Sequence, residues 1–193
     1  MGMVKVLKIL VKALLYRPKL GFLGKDSFIL LPRWVHNPGN IEIGKNSIIG
    51  RFCVLHPVIK YKEQKFSSKI KIGSNVYIGG YNQIHAMNLI EIEDGCVLSE
   101  HVYISDIAHG FDPNGGLIMQ QNLECKGPVH IGANTFIGYG VSIMPDVSLG
   151  RNCIVGTRSV VTHSFPDYSM IAGSPAKLLK KYCLESNEWI SVK

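Results

Sequence analysis

Between Val129 and Pro166 aliphatic residues recur with a period that belongs to neither a helix nor a single strand: Ile131, Ile137, Ile143, Leu149, Val155 and Val161 stand six apart. With apolar residues at 46% of the chain, five further hits in fixed phase arise by chance roughly 2% of the time. Two residues before each stands a small or β-branched residue (Val129, Thr135, Val141, Val147, Cys153, Ser159), and Gly132, Gly138, Gly150 and Gly156 follow four of them. This is a hexapeptide repeat. A six-residue unit is too short for a hairpin, so each unit is one short strand plus a corner, and three units close a triangular coil. Stacked coils turn the aliphatic positions into interior ladders, and each strand pairs with its equivalent in the next coil. The expected fold is an all-β parallel β-helix, whose hand the spacing alone does not give.

Going back along the chain, Ile43, Ile49 and Leu55 make a first coil, with Gly44 and Gly50 at its corners. Ile72, Ile78 and Ile84 make a second, and after a slip of two residues Ile92, Leu98 and Ile104 make a third. Two interruptions, residues 57–70 and 105–130, are expected as loops extruded from the coils, leaving 39–172 as the β-helix domain. The first contains Lys60, Lys62, Lys65 and Lys69 and reads as a solvated loop. The second holds Asp106, His109, Asp112 and Pro113, and is the place to look for chemistry.

Residues 1–38 are expected as a helix and lead-in. Over Val4–Tyr16, Leu7, Leu10, Val11, Leu14 and Leu15 fall on one helical face and Lys5, Lys8 and Lys12 on the other. Such a segment is too short and too charged to span a bilayer; it is expected to cap the open end of the coils, the alternative being a helix resting on an anionic membrane. Residues 173–193 are expected as a C-terminal helical tail, with Pro175 at its first position.

A formal net charge of +7 suits a polyanionic partner. No zinc-finger, RNA-recognition or basic-zipper pattern accompanies it, so nucleic acid is not expected. The cysteines form no CxxC; Cys53, Cys96 and Cys153 fill small corner slots and are read as packing groups in a reducing compartment, which points to the cytoplasm, with the membrane's inner face as the peripheral alternative. No metal is expected: His85, His101, His109 and His130 lack the closely spaced pair that a zinc-binding β-helix of the γ-carbonic anhydrase kind needs. Within the second loop His109 lies in a polar, glycine-flanked setting, and Asp106, three residues earlier, is positioned to orient an imidazole.

From about Asn40 to Tyr182 the chain resembles the hexapeptide-repeat acyltransferases. The ladders, the loop SDIAHGFDP (Ser105–Pro113), the stretch HIGANTFIGYGVSI (His130–Ile143) and the ending MIAGSPAKLLKKY (Met170–Tyr182) follow in that family's order. Within it the chain looks more like the O-acetyltransferases of lipopolysaccharide, exopolysaccharide or capsule and the galactoside and maltose acetyltransferase lineage. Two positions depart from the pattern, Phe136 standing where the family usually has Trp and His163 where Lys is frequent.

The resemblance implies a left-handed coil, a homotrimer, and acetyl-CoA as donor to a hydroxyl of a sugar or polysaccharide acceptor. His109 would be the general base, with Asp106 as its companion. Gly138, Tyr139, Thr157, Thr162 and His163 would touch the CoA arm, and Lys177 and Lys180 its phosphates. Asn82 and His85 are candidate acceptor contacts. Transfer to an amino sugar and a scaffold without catalysis remain the alternatives.

Overall fold

The computed structural model describes residues 19–192; the amphipathic helix expected over Val4–Tyr16, and any membrane contact through it, lie outside them. Short parallel strands build three faces of a prism. The first face stacks Phe22–Leu23, Ile41–Ile43, Lys69–Ile72, Leu89–Ile92, Val129–Ile131 and Ser148–Leu149. The second runs from Phe28–Ile29 through Ile48–Ile49, Tyr77–Ile78, Val97–Leu98, Phe136–Ile137 and Ile154–Val155 to Ser169–Gly173. The third comprises Trp34–Val35, Val54–Pro57, Gln83–Ala86, Tyr103–Ser105, Ser142–Ile143 and Val160–Val161. Registers carry the sequence ladders directly into the interior: Ile43 pairs with Ile72, Ile72 with Ile92, Ile92 with Ile131 and Ile131 with Leu149. Ladder residues on all three faces are fully buried, each contributing roughly 1.5–3 kcal/mol of apolar transfer.

The coils start earlier than residue 39. Leu23, Ile29 and Val35 are themselves six apart and pair with Ile43, Ile49 and Leu55. The lead-in therefore contributes a full coil, which its large outward residues Phe22, Phe28 and Trp34 disguise as irregular chain.

Corners differ in chemistry. Between the first and second faces the left-handed position is held by Asp26, Asn46, Asn75, Gly95, Asn134 and Asn152, the residue types that adopt positive φ most cheaply. Between the second and third faces it is held by Gly140 in one coil and by bulkier residues, Leu31, Phe52, Tyr81, His101 and Arg158, in the others. Phe52 and Tyr81 lie 5.2 Å apart, Tyr81 and His101 stack at 4.9 Å, and His101 meets Tyr139 at 5.2 Å. Stacking of this kind is worth about 0.5–1.5 kcal/mol per pair and offsets the backbone cost.

The C-terminal helix expected from Pro175 is absent. Ala176–Cys183 instead runs antiparallel to Ser169–Gly173, and Glu188–Ser191 adds a further antiparallel strand. The reason is an unmet hydrogen-bonding edge: Ser169–Gly173 ends the second face with a row of N–H and C=O groups that a helix, with its bonds internal, cannot satisfy. Alternation then decides the faces, so that Ala176 is buried and Leu178 packs on the core. Lys177 and Lys180, which a helix would put on one side, are here exposed and half-buried respectively along an alternating strand.

Coil spacing tolerates almost nothing between the glycine corners. A Cβ on Gly132 would lie 2.6 Å from backbone atoms of Gly150 and Arg151 in the next coil. Gly132→Ala is expected to lower stability by about 1–3 kcal/mol, measurable as an earlier midpoint in chemical denaturation; an unchanged midpoint would show that the coils can part.

Candidate active site

Every extra residue leaves the prism at one corner, the passage from third face to first. The segment between Pro57 and Lys69, the short link between Ala86 and Leu89, and the segment between Ser105 and Val129 all fall there, in three successive turns. Stacked above one another, they make a structure of their own. Lys60–Tyr61 and Gln64–Lys65 pair as a hairpin, and Ala108–His109 pairs antiparallel with Leu123–Glu124. Val58, Met87 and Leu123, one from each turn, form a small second core with Tyr61, Phe66, Ile107 and Cys125 against it. The Gln64 side-chain amide grips Leu123 twice, accepting from its N–H at 2.8 Å and donating to its carbonyl at 3.1 Å. The Tyr61 hydroxyl donates to the Met119 carbonyl at 2.7 Å.

Asp106 fastens this stack and does not orient His109, as the sequence suggested it would. Its carboxylate is fully buried and accepts the N–H groups of Met87 (2.5 Å), Asn88 (2.9 Å) and Leu89 (2.9 Å). Burial pushes the Asp106 carboxyl above its ordinary range, against the pull of those three amides. The imidazole of His109, directly opposite Leu123 in the strand pair, stands edge-on to Tyr61 at 5.7 Å. Its Nδ1 is enclosed and has no hydrogen-bond partner among the described residues.

His109 opens onto a cavity of about 370 Å3 between the corner stack and the outer side of the third face. His56, His85, Tyr103 and Ser105 come from the face, and Lys60, Tyr61, Ile107 and Leu123 from the stack. His85 thus lines the same cavity as His109. It also ends a column of imidazoles, His36 to His56 at 4.4 Å and His56 to His85 at 5.6 Å. Burial, reinforced by His56 and then His36, lowers the His85 pKa to about 4, and burial with His36 lowers that of His56. Both rings are therefore neutral near pH 7, each with one donor and one acceptor nitrogen.

Asn82, by contrast, cannot reach an acceptor. It is fully buried in the corner between second and third faces; Nδ2 donates to the carbonyls of Gly79 and Ser99, each at 2.9 Å, and Oδ1 accepts the Val102 N–H at 2.5 Å. Both amide hydrogens and the carbonyl oxygen are engaged by backbone, closing its own corner through Gly79 and joining the next coil through Ser99 and Val102.

The residues assigned to CoA lie in three places, and none lines the His109 cavity. Gly138, Tyr139 and Thr157 sit at the corner between second and third faces, where a Cβ on Gly138 would come within 2.8 Å of Thr157 N and Val155 O. Arg158 lies over the Tyr139 ring at 5.9 Å. Thr162 and His163 follow the last third-face strand, with His163 against Phe165 at 4.5 Å. Lys177 and Lys180 are on the C-terminal strand. Among the described residues no group of His, Cys, Asp and Glu could hold a metal ion, and no helix is long and apolar enough to cross a membrane.

The sequence reading missed His56, Tyr103, Tyr61, Lys60 and Gln64. His56 and His85 each directly follow a ladder aliphatic, Leu55 and Ile84, and pair across the face, so the repeat register alone could have put them side by side. Nothing local marks Tyr61 or Gln64, whose partners lie 58 and 59 residues away.

Comparison with known proteins agrees with this geometry. Residues 128–163 match the model for the bacterial transferase hexapeptide (six repeats). A probable acetyltransferase of Mycobacterium tuberculosis is 35% identical over 132 residues, 68% of this chain and 43% of the relative. The putative lipopolysaccharide biosynthesis O-acetyl transferase WbbJ of Escherichia coli is 27% identical over 83% of this chain and 82% of its own. Among solved structures, AntD, an N-acyltransferase from Bacillus cereus in complex with dTDP and 3-hydroxybutyryl-CoA, superposes with a TM-score of 0.74 at 26% identity, covering 91% of this chain and 90% of that one. Repeat, fold and relatives all resemble those of hexapeptide-repeat transferases. It spans less than half the length of the mycobacterial relative.

The imidazole column makes stability depend on pH. A His whose folded pKa is depressed contributes stability that is complete above its unfolded value, about 6.5, and is lost as pH falls toward the folded one. For His85 the window runs from there down to about 4. The melting temperature is expected to fall across that range, and His85→Gln to flatten the decline; an equally steep decline in the variant would remove His85 as its cause.

Proposed function

We propose that this protein is an acetyl-CoA-dependent O-acetyltransferase whose acceptor is a hydroxyl of a sugar, a surface polysaccharide or its precursor. The observation that carries the reading is His109, held on the fastened corner stack with Nδ1 enclosed and its ring facing a cavity lined by neutral imidazoles and tyrosines. Nε2 takes the proton of an acceptor hydroxyl as that oxygen attacks the thioester carbonyl. The tetrahedral intermediate collapses to the acetyl ester, and the imidazolium returns the proton to the departing CoA thiolate, so that atoms and charge balance. A base so held contributes on the order of 100-fold to 10,000-fold, and alignment of the two substrates supplies much of the rest. The His56 and His85 rings can exchange hydrogen bonds with further hydroxyls of the acceptor without placing a charge beside it.

Asp106 acts at one remove, by holding the link over which His109 is carried. Gly138, Tyr139, Thr157, Thr162, His163, Lys177 and Lys180 remain the proposed contacts of the CoA arm. Their spread over corner, last coil and C-terminal strand suits a groove shared between subunits of a homotrimer, with which the donor is completed. The likeness to WbbJ supports transfer to oxygen. A second reading, attack by an amine on an amino sugar, is supported by the likeness to AntD.

Purified protein incubated with acetyl-CoA and a panel of glycosides, sugar phosphates, nucleotide sugars and amino sugars is expected to release free thiol and give an acetylated product, with mass and base-lability separating ester from amide. His109→Ala should reduce turnover at least about 100-fold with an unchanged melting temperature; wild-type turnover in that variant sinks the mechanism. Light scattering at micromolar concentration should return the mass of three chains, and a monomer would contradict the shared groove.

A further inference from the structure

We propose that the hairpin Lys60–Tyr61/Gln64–Lys65 carries a phosphate-binding site at the rim of the His109 cavity, and that the acceptor is accordingly a phosphorylated or diphosphate-linked sugar. This rests on the acyltransferase reading of that cavity and narrows its substrate class.

Lys60 and Lys65 stand directly opposite each other in the antiparallel pair, so their side chains leave the same side of the hairpin with Cβ atoms roughly 4.5–5.5 Å apart. Like charges in that relation are destabilising, and here nothing relieves them: among the described residues neither lysine has a carboxylate within 4.0 Å. Other lysines nearby are accommodated. Lys69 is held by Glu42 at 2.6 Å, and Lys62 lies over the Tyr61 ring at 5.4 Å. An uncompensated pair of cations is a cost that an anion between them would remove.

The pair is also held in place. Its neighbours Tyr61 and Gln64, opposite each other in the same hairpin, are tied to Met119 and Leu123 of the loop that carries His109. The hairpin is thus fixed relative to the imidazole, which lowers the ordering cost of binding. Lys60 lines the cavity, no carboxylate does, and burial lowers the pKa of both His56 and His85 there. A phosphate, with close to two charges and three accepting oxygens, suits two ammonium groups better than a single carboxylate does. An acceptor with its phosphate between the lysines would have its ring in the cavity and a hydroxyl toward His109.

Phosphate could come from the acceptor or from CoA, and the test separates them. Calorimetric titration of the full chain with inorganic pyrophosphate alone is expected to detect binding, weakened about tenfold or more in Lys60→Ala/Lys65→Ala. In steady-state assays the double variant should raise the KM for a sugar 1-phosphate or nucleotide sugar about tenfold and leave that for acetyl-CoA within about twofold. Its melting temperature should hold or rise, since a repulsion has been removed. A rise in the acetyl-CoA KM instead would assign the phosphate to the donor and overturn the acceptor class. Unchanged pyrophosphate binding would make the lysines a solvated face. If pyrophosphate binds the wild type and not the variant while no acceptor is acetylated, the phosphate site stands and the transferase reading alone falls.

Discussion

A ladder of hydrogen bonds between identical strands of successive coils admits no extra residue within a face, because one inserted residue reverses every side chain beyond it. The strands here are mostly two to four residues long, so the rule bites at every turn and all surplus chain has to escape at corners. That it escapes at the same corner in successive turns is what creates the candidate site. Separate extrusions would be isolated loops; stacked ones share a small core and can hold a side chain at a fixed height above the outer surface of a face.

The chemistry of the cavity follows from that arrangement. A prism of such short strands exposes half of its residues, and on the third face the outward positions beside the corner stack are His56, His85 and Tyr103. Covering them with the stack removes water from around the imidazoles, and their mutual proximity adds to the effect, so they lose charge while keeping their hydrogen-bonding capacity. Lys60 and His109 reach the same cavity from the extruded chain.

The repeat was legible because ladder, small corner residue and glycine each recur independently, and a six-residue period has few structural solutions. His109 stood out for its loop. The first coil was not legible over Phe22–Val35, where aromatic outward residues hide the same period, and the C-terminal helix was expected with Pro175 at its first position, when the open edge of Ser169–Gly173 had the stronger claim on those residues. Asp106 and Asn82 show a further limit. Their polarity suggested chemistry, yet what consumes them are mostly backbone groups of neighbouring coils, which proximity in sequence does not reveal. The bond between Gln64 and Leu123 is of the same kind, made only once the coils bring two extrusions together.

The reversal of chain direction after Gly173 changes what the end of the second face can offer to another strand. A parallel solenoid that ended on a bare coil would offer its last strands as a template for the first coil of another copy, and nothing in the repeat itself would stop growth into a fibre. Two antiparallel strands, the outer one Glu188–Ser191, turn that end of the second face into an edge of the wrong polarity and register for an eighth parallel rung. A repeating sequence counts only as far as its last irregular segment allows, and here that segment is a stop signal written in strand direction.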